Sequence, residues 1–185
     1  MPLNDYGDSP TPTTGVHGVD IASQRLDDLD RACLEFALDC TQAGQTAIDL
    51  GCGLGAQSLR LASLGWKVWM CDLLDLGSRV NSINAILGAP HLHFLCKDAR
   101  QLASRDLPTS ATMLYSQRFI HYLTYSEAVS VLRLISTCLQ PRSQLFLSAS
   151  GLHSELGGSY PCSSHSLETR FAKLNSSTAK KTPNP

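Results

Sequence analysis

Three glycines at alternate positions, Gly51, Gly53 and Gly55, follow the apolar stretch at residues 47–50 and precede the small residue Ala56. No regular element runs through such a cluster, because glycine lacks the Cβ that restricts the backbone and loses the most conformational freedom when ordered. The cluster therefore divides a short buried strand, residues 46–50, from a helix over residues 54–64 that Gly65 stops. A glycine turn between strand and helix lets the backbone approach a ligand closely. The N–H groups at the start of the helix favour a carboxylate or a phosphate. Taken alone, the loop reads equally well as a bare structural turn.

The remainder of the chain repeats this alternation. Leu26, Leu29, Cys33, Phe36 or Ala37, and Cys40 recur at helical spacing, with Gly44 as the expected stop. Residues 66–71 read as a second strand. Leu76, Val80, Ile83 and Leu87 give a helical face closed by Gly88 and Pro90, and residues 91–96 and 111–116 read as strands three and four. Thr124 and Glu127 form a capping box before a helix whose face is Ala128, Val131, Ile135 and Cys138, with Pro141 ending it. Residues 144–150 make a fifth strand. Strands alternating with helices predict an α/β fold, a mostly parallel sheet with helices on both faces. Residues 1–20 read as a flexible arm, 21–174 as the single domain and 175–185 as a disordered tail.

Acidic residues stand at the ends of three of these strands. Asp49 closes the first beside the glycines. Asp72 ends the second, where doubly wound folds place an acid on ribose hydroxyls, and Asp98 follows the third. Each alone is an ordinary turn or cap residue; together they converge on one crevice. The run Asp49-Leu-Gly-Cys-Gly-Leu-Gly55 resembles the first motif of the class I S-adenosylmethionine-dependent methyltransferases, over roughly residues 26–150. Ile120-His-Tyr-Leu123 resembles their strand-four ending. Residues 139–147 are similar to the Leu-x-Pro-Gly-Gly turn before strand five, with Arg142 and Ser143 in place of both glycines.

That resemblance implies a Rossmann-like sheet in the order 3-2-1-4-5 and S-adenosylmethionine as cofactor. It implies that Gly51, Gly53 and Gly55 cradle the methionine part, with Asp49 near its ammonium. Asp72 is implied on the ribose hydroxyls, Asp98 on the adenine amino group, and the main-chain N–H of Ala99 at the adenine ring. Methyl transfer from a sulfonium is an in-line displacement in which the protein aligns the reactants and, where needed, removes a proton. His121 is the candidate base by position, or else a residue packed against the cofactor; Tyr122, Gln117 and Glu155 stand behind it.

Composition narrows the alternatives. A formal net charge of −1 with scattered Lys and Arg gives no basic stripe for nucleic acid, so a small-molecule methyl acceptor is expected. Seven scattered cysteines, none in a CxxC pair, argue against a disulfide framework and a zinc site and fit a cytoplasmic protein. No metal is expected: His91 and His93 alternate along a strand without a third ligand. No apolar run is long enough to span a bilayer. An NAD-dependent oxidoreductase competes for the glycine loop, but its fingerprint wants G-x-G-x-x-G, where this chain has G-x-G-x-G. Residues 151–185 hold little β-forming material, so strands six and seven of a complete sheet are expected to be missing. The last strand would then lie exposed and prone to self-association, and a truncated cofactor-binding remnant without activity is the alternative to a working methyltransferase.

Overall fold

The computed structural model describes residues 26–40 and 44–149; the fold lies in the compact unit Met1–Ser148. Expectations placed on the N-terminal arm, on Glu155 and on the C-terminal tail fall outside the described residues. Helix α1 (Asp28–Asp39) leads into five strands, β1 (Thr46–Leu50), β2 (Lys67–Asp72), β3 (Leu92–Cys96), β4 (Ala111–Ser116) and β5 (Leu139–Leu147). Between them run α2 (Ala56–Ser63), α3 (Gly77–Leu87) and α4 (Tyr125–Ser136). All four strand pairings are parallel, in the order β3-β2-β1-β4-β5. No helix among the described residues is long and apolar enough to cross a membrane.

The order reverses between β1 and β4, and that reversal decides where the helices go. Crossovers between parallel strands are right-handed, so α2 and α3, stepping from β1 to β3, lie on one face. Helix α4, stepping the other way from β4 to β5, lies on the opposite one. The first face buries Ala47, Val68, Met70, Met113 and Tyr115 with Leu61, Ala62 and Val80 of α2 and α3, and with Cys33 and Ala37 of α1. Ile48, Leu50 and Leu114 alternate to the other side and are as deeply buried. There they stand with the stripe Ala128, Val131 and Ile135 of α4.

Local signals account for most boundaries. The Thr124–Glu127 capping box forms as read, and Gly88 closes α3 in the left-handed conformation at φ 69°. Two stops differ. Helix α1 ends at Cys40, not at Gly44, which with φ 80° turns the chain into β1 instead. Helix α4 ends at Ser136, so Pro141 does not stop it and lies inside β5.

The reason is a bulge. Ala111 pairs with Leu139 but Met113 pairs with Gln144, so β5 carries extra residues opposite β4. Proline, with no N–H to offer a ladder, is tolerated at such a bulge. Ser143 Oγ donates to the Ala111 carbonyl at 2.8 Å. Arg142 sits in the bulge at φ 69°, a left-handed conformation that costs a residue with a Cβ about 1–2 kcal/mol. The related turn carries glycine there, and the strain is the physical cause of that preference. R142G is expected to unfold later than the wild type by up to about 1 kcal/mol, and R142V earlier, in thermal denaturation.

Candidate functional site

The carboxyl ends of β1, β2, β3 and β4 meet around residues 51–55. Gly51, Gly53 and Gly55 all have positive φ, of 70°, 53° and 76°. A Cβ on Gly55 would come within 2.6 Å of Met70 Cε, and one on Gly51 within 2.4 Å of Phe119 Cγ. These positions need glycine both for conformation and for space. The turn is held from β2: the N–H groups of Gly51 and Cys52 donate to the Cys71 carbonyl at 2.9 and 3.2 Å. The N–H of Gly53 donates to Asp72 Oδ2 at 2.8 Å, and Asp72 Oδ1 accepts from Leu74 N at 3.0 Å.

Asp49 is brought to the same place but lies beneath the loop, 1% exposed. Its Oδ2 accepts from Ser58 Oγ at 2.5 Å, tying β1 to α2. Asp98 caps the turn Ala99–Gln101 through Arg100 N at 2.9 Å and pairs with the Arg100 guanidinium, Nη2 to Oδ2 at 2.5 Å. The hydrogen bonds from Arg100 hold the Asp98 carboxyl below the usual carboxylate range. Arg100 reaches on to Glu127 Oε1 at 3.4 Å, joining this loop to the cap of α4. Ala99 is buried at the head of the turn.

His121 lies in the turn Ile120–Tyr122 after β4, its ring 4.4 Å from that of Tyr122. Burial first, and the charge of Arg118 second, push its pKa down to about 4. The imidazole is therefore neutral at pH 7, but as a base it is weaker than an exposed histidine, since proton abstraction is most effective with a pKa near the working pH.

Two features escaped the sequence. The first is a polar latch from α1. Asp27 and Asp30 form a reciprocal capping box, and Asp30, 1% exposed, accepts the Tyr115 hydroxyl at 2.5 Å. Gln57 Nε2 donates to the Asp30 carbonyl at 3.2 Å, and Gln117 donates to the Asp27 carboxylate. Desolvation raises the Asp30 pKa even though the Tyr115 bond opposes it. The capping pattern Asp-x-x-Asp was the readable signal for the helix start; nothing local marked Tyr115 as its partner, 85 residues away. The second feature is Phe119 against Gly51. Its position after β4 was legible, its contact was not.

Comparison with known proteins agrees with this geometry. The profile of a family described as a methyltransferase domain matches residues 48–147, more than half of the chain. A segment of 56 residues is 39% identical to a ribosomal protein L11 methyltransferase of Campylobacter concisus, covering 30% of this chain and 20% of that protein. The fold matches magnesium protoporphyrin IX methyltransferase from Synechocystis PCC 6803, solved with bound SAH, at a TM-score of 0.53 and 16% identity over 80% of this chain and 69% of that one. It also matches a putative sarcosine dimethylglycine methyltransferase from Galdieria sulphuraria, at a TM-score of 0.53 and 18% identity, over 67% and 46% of the two chains. The chain thus spans a fifth of the curated relative and under half of the Galdieria structure.

The depressed His121 pKa sets a pH dependence. Between about 4 and 6.5 the unfolded chain binds a proton at this residue that the native state does not. Native stability from His121 is present above about pH 6.5 and is lost as the pH falls toward 4. His93 is shifted in the same direction, so the test is a difference between variants. The drop in Tm from pH 7 to pH 5 is expected to be smaller in H121Q than in wild type, and NMR titration should show the His121 ring protonating near pH 4.

Proposed function

The chain belongs to the methyltransferase-domain family, and on that premise we propose that it binds S-adenosylmethionine at the carboxyl ends of β1–β4 and transfers its methyl group to a small-molecule acceptor. The observation that carries this reading is the bond from Gly53 N to Asp72 Oδ2 at 2.8 Å. It fixes the glycine turn directly beside a carboxylate, with no side chain at Gly53 itself, at the point where the strand order reverses. Open parallel sheets bind their ligands there.

The residues present fit the cofactor. Met70 and Phe119 occupy the space that a Cβ would fill at Gly55 and Gly51, so neither glycine can be replaced without displacing the side chains around the loop. The described bonds to Asp72 use two main-chain donors. A carboxylate offers about four acceptor positions, which leaves capacity for a ribose diol. Both oxygens of Asp98 are already taken by Arg100, so an adenine amino group would reach this carboxylate only where the guanidinium gives way, and the Ala99 backbone stands next to it. When bound, the cofactor supplies an electrophilic methyl on a sulfonium.

This chain's part in the reaction is alignment. The glycine loop, Asp72 and Asp98 hold the donor along the strand ends, and the segment after β4 walls the crevice on its far side. Such positioning accounts for a large share of the barrier in a bimolecular displacement. His121 acts here as a neutral, half-buried wall residue. A small acceptor is favoured by the formal net charge of −1 and the absence of a basic stripe in the sequence.

Calorimetric titration tests the cofactor reading: S-adenosylmethionine and S-adenosylhomocysteine bind, and NAD does not. Tight NAD binding without binding of either adenosyl compound would overturn it. Asp72→Ala removes hydrogen bonds to a charged acceptor worth about 1.5–3 kcal/mol, so affinity for both compounds is expected to fall roughly tenfold to a hundredfold. The folded state of the variant is checked by circular dichroism.

A further inference from the structure

Phe119 is placed by a strained backbone. Arg118, two residues beyond the end of β4, has φ 53°, a conformation that few residues other than glycine adopt without cost. It is pinned there: its N–H lies 3.0 Å from Ser148 Oγ and 3.2 Å from the Ser148 carbonyl, while Ser148 N donates to the Ser116 carbonyl at 3.1 Å. The left-handed step turns the chain so that Phe119 comes down on Gly51. A Cβ built on that glycine would lie 2.4–2.5 Å from three carbons of the Phe119 side chain. The contact bridges the carboxyl ends of β1 and β4, the two strands on either side of the reversal. Phe119 stays half-buried. Tyr115, the aromatic residue within β4 itself, is buried with its hydroxyl committed to Asp30. Strain held at a crevice by surrounding bonds commonly belongs to the function of that crevice.

The direction of the bound cofactor follows from the carboxylates. Asp72 and Asp98 stand at the ends of β2 and β3, which fixes the nucleoside over those strands. Neighbouring strands are about 4.8 Å apart, so with the nucleoside held over β2 and β3 the sulfur, attached to the ribose, would lie over the glycine loop toward the β1–β4 gap, where Phe119 stands. Asp49 and Asp72 lie on the glycine-loop side of this gap, and Arg118 lies on the Phe119 side.

Resting on the cofactor reading above, we propose that the ring of Phe119 faces the sulfonium and makes the site favour the charged methyl donor over the neutral thioether left after transfer. The face of an aromatic ring attracts a cation within about 6 Å and has no such attraction for a neutral sulfur. One residue then serves two ends: it fills the space above Gly51, and it weakens the hold on product once the charge has left.

The test is the ratio of Kd for S-adenosylhomocysteine to Kd for S-adenosylmethionine, measured by calorimetry on the full chain. Phe119→Leu, which keeps an apolar side chain over Gly51, is expected to weaken the donor by roughly 3–30-fold and the product far less. F119Y should keep the wild-type ratio. Trifluorophenylalanine at position 119 nearly preserves the shape and withdraws the ring's negative face, so it should lower the ratio even if F119L does not fold. An unchanged ratio in trifluorophenylalanine-substituted protein, or equal losses for both compounds, would show that the ring only supports Gly51. If neither compound binds the wild type, the cofactor reading itself fails, and that outcome is separate from a lost preference.

Discussion

The turn at residues 51–55 is the constraint on which the rest of this structure depends. Strand β1 runs through the middle of the sheet, and its carboxyl end has to release the chain into α2 without blocking the crevice. Three left-handed glycines achieve this, and the turn is held by acceptors on β2, the Cys71 carbonyl and the Asp72 carboxylate. The same Asp72 that is proposed to meet the cofactor is thus part of the scaffold of the loop. A change at Asp72 acts on both at once. Asp49 makes a similar double use of a carboxylate. Buried under the loop on Ser58, it fixes the start of α2 against β1 and supports the loop from beneath.

A second constraint comes from outside the sheet. Helix α1 precedes the first strand, and its docking depends on burying an acid. Moving a carboxyl group out of water is costly unless it is paired or hydrogen-bonded. Asp30 meets this with the Tyr115 hydroxyl at 2.5 Å and the Asp27 N–H at 3.0 Å, while Arg60 stays at 3.9 Å. The raised pKa of Asp30 shows that these partners do not fully offset its desolvation. What the latch provides is register: together with Gln117 on Asp27 it sets the start of α1 at the carboxyl end of β4, beside the candidate site. Apolar packing of Phe36 on Trp66 and Phe146 anchors the other end of the helix but fixes its rotation less sharply, since apolar contact is not directional.

The sequence disclosed what depends on neighbours in the chain. Apolar runs, glycine stops and the Thr124 capping box gave five strands in the right order and four helices within a few residues of their ends. Gly44 and Pro141 misled because each was read as a helix stop, whereas the helices had already ended at Cys40 and Thr137. A bulge, which depends on the partner strand's register, then accommodated the proline. The site was legible where a motif is contiguous, as in residues 49–55. It was not legible where contacts join distant segments. Tyr115 on Asp30, Arg100 on Glu127 and Phe119 on Gly51 all depend on how strands are paired, which no local pattern carries. Asp98 shows the intermediate case: its position was readable, its engagement by Arg100 was not.

The two non-glycine residues with positive φ among the described residues, Arg118 and Arg142, divide the molecule unevenly. Both lie on the segments that leave β4 and enter the main part of β5, while the β1–β3 half resolves its left-handed positions with glycine at Gly51, Gly53, Gly55, Gly65 and Gly88. The half that carries the glycine loop and the strand-end acids is therefore relaxed. The half beyond the reversal stores strain, and at Arg118 that strain is held by three bonds between the ends of β4 and β5. A relaxed floor and a strained wall respond differently to substitution. Loss of a loop glycine forces a clash against Phe119 or Met70 and removes the cradle. A change around Ser148 instead frees Arg118 to relax, moving Phe119 and the turn bearing His121 while the loop beneath stays in place. If the acceptor is recognised on that wall, the choice of acceptor can shift without disturbing the donor's cradle, because the two depend on different bonds.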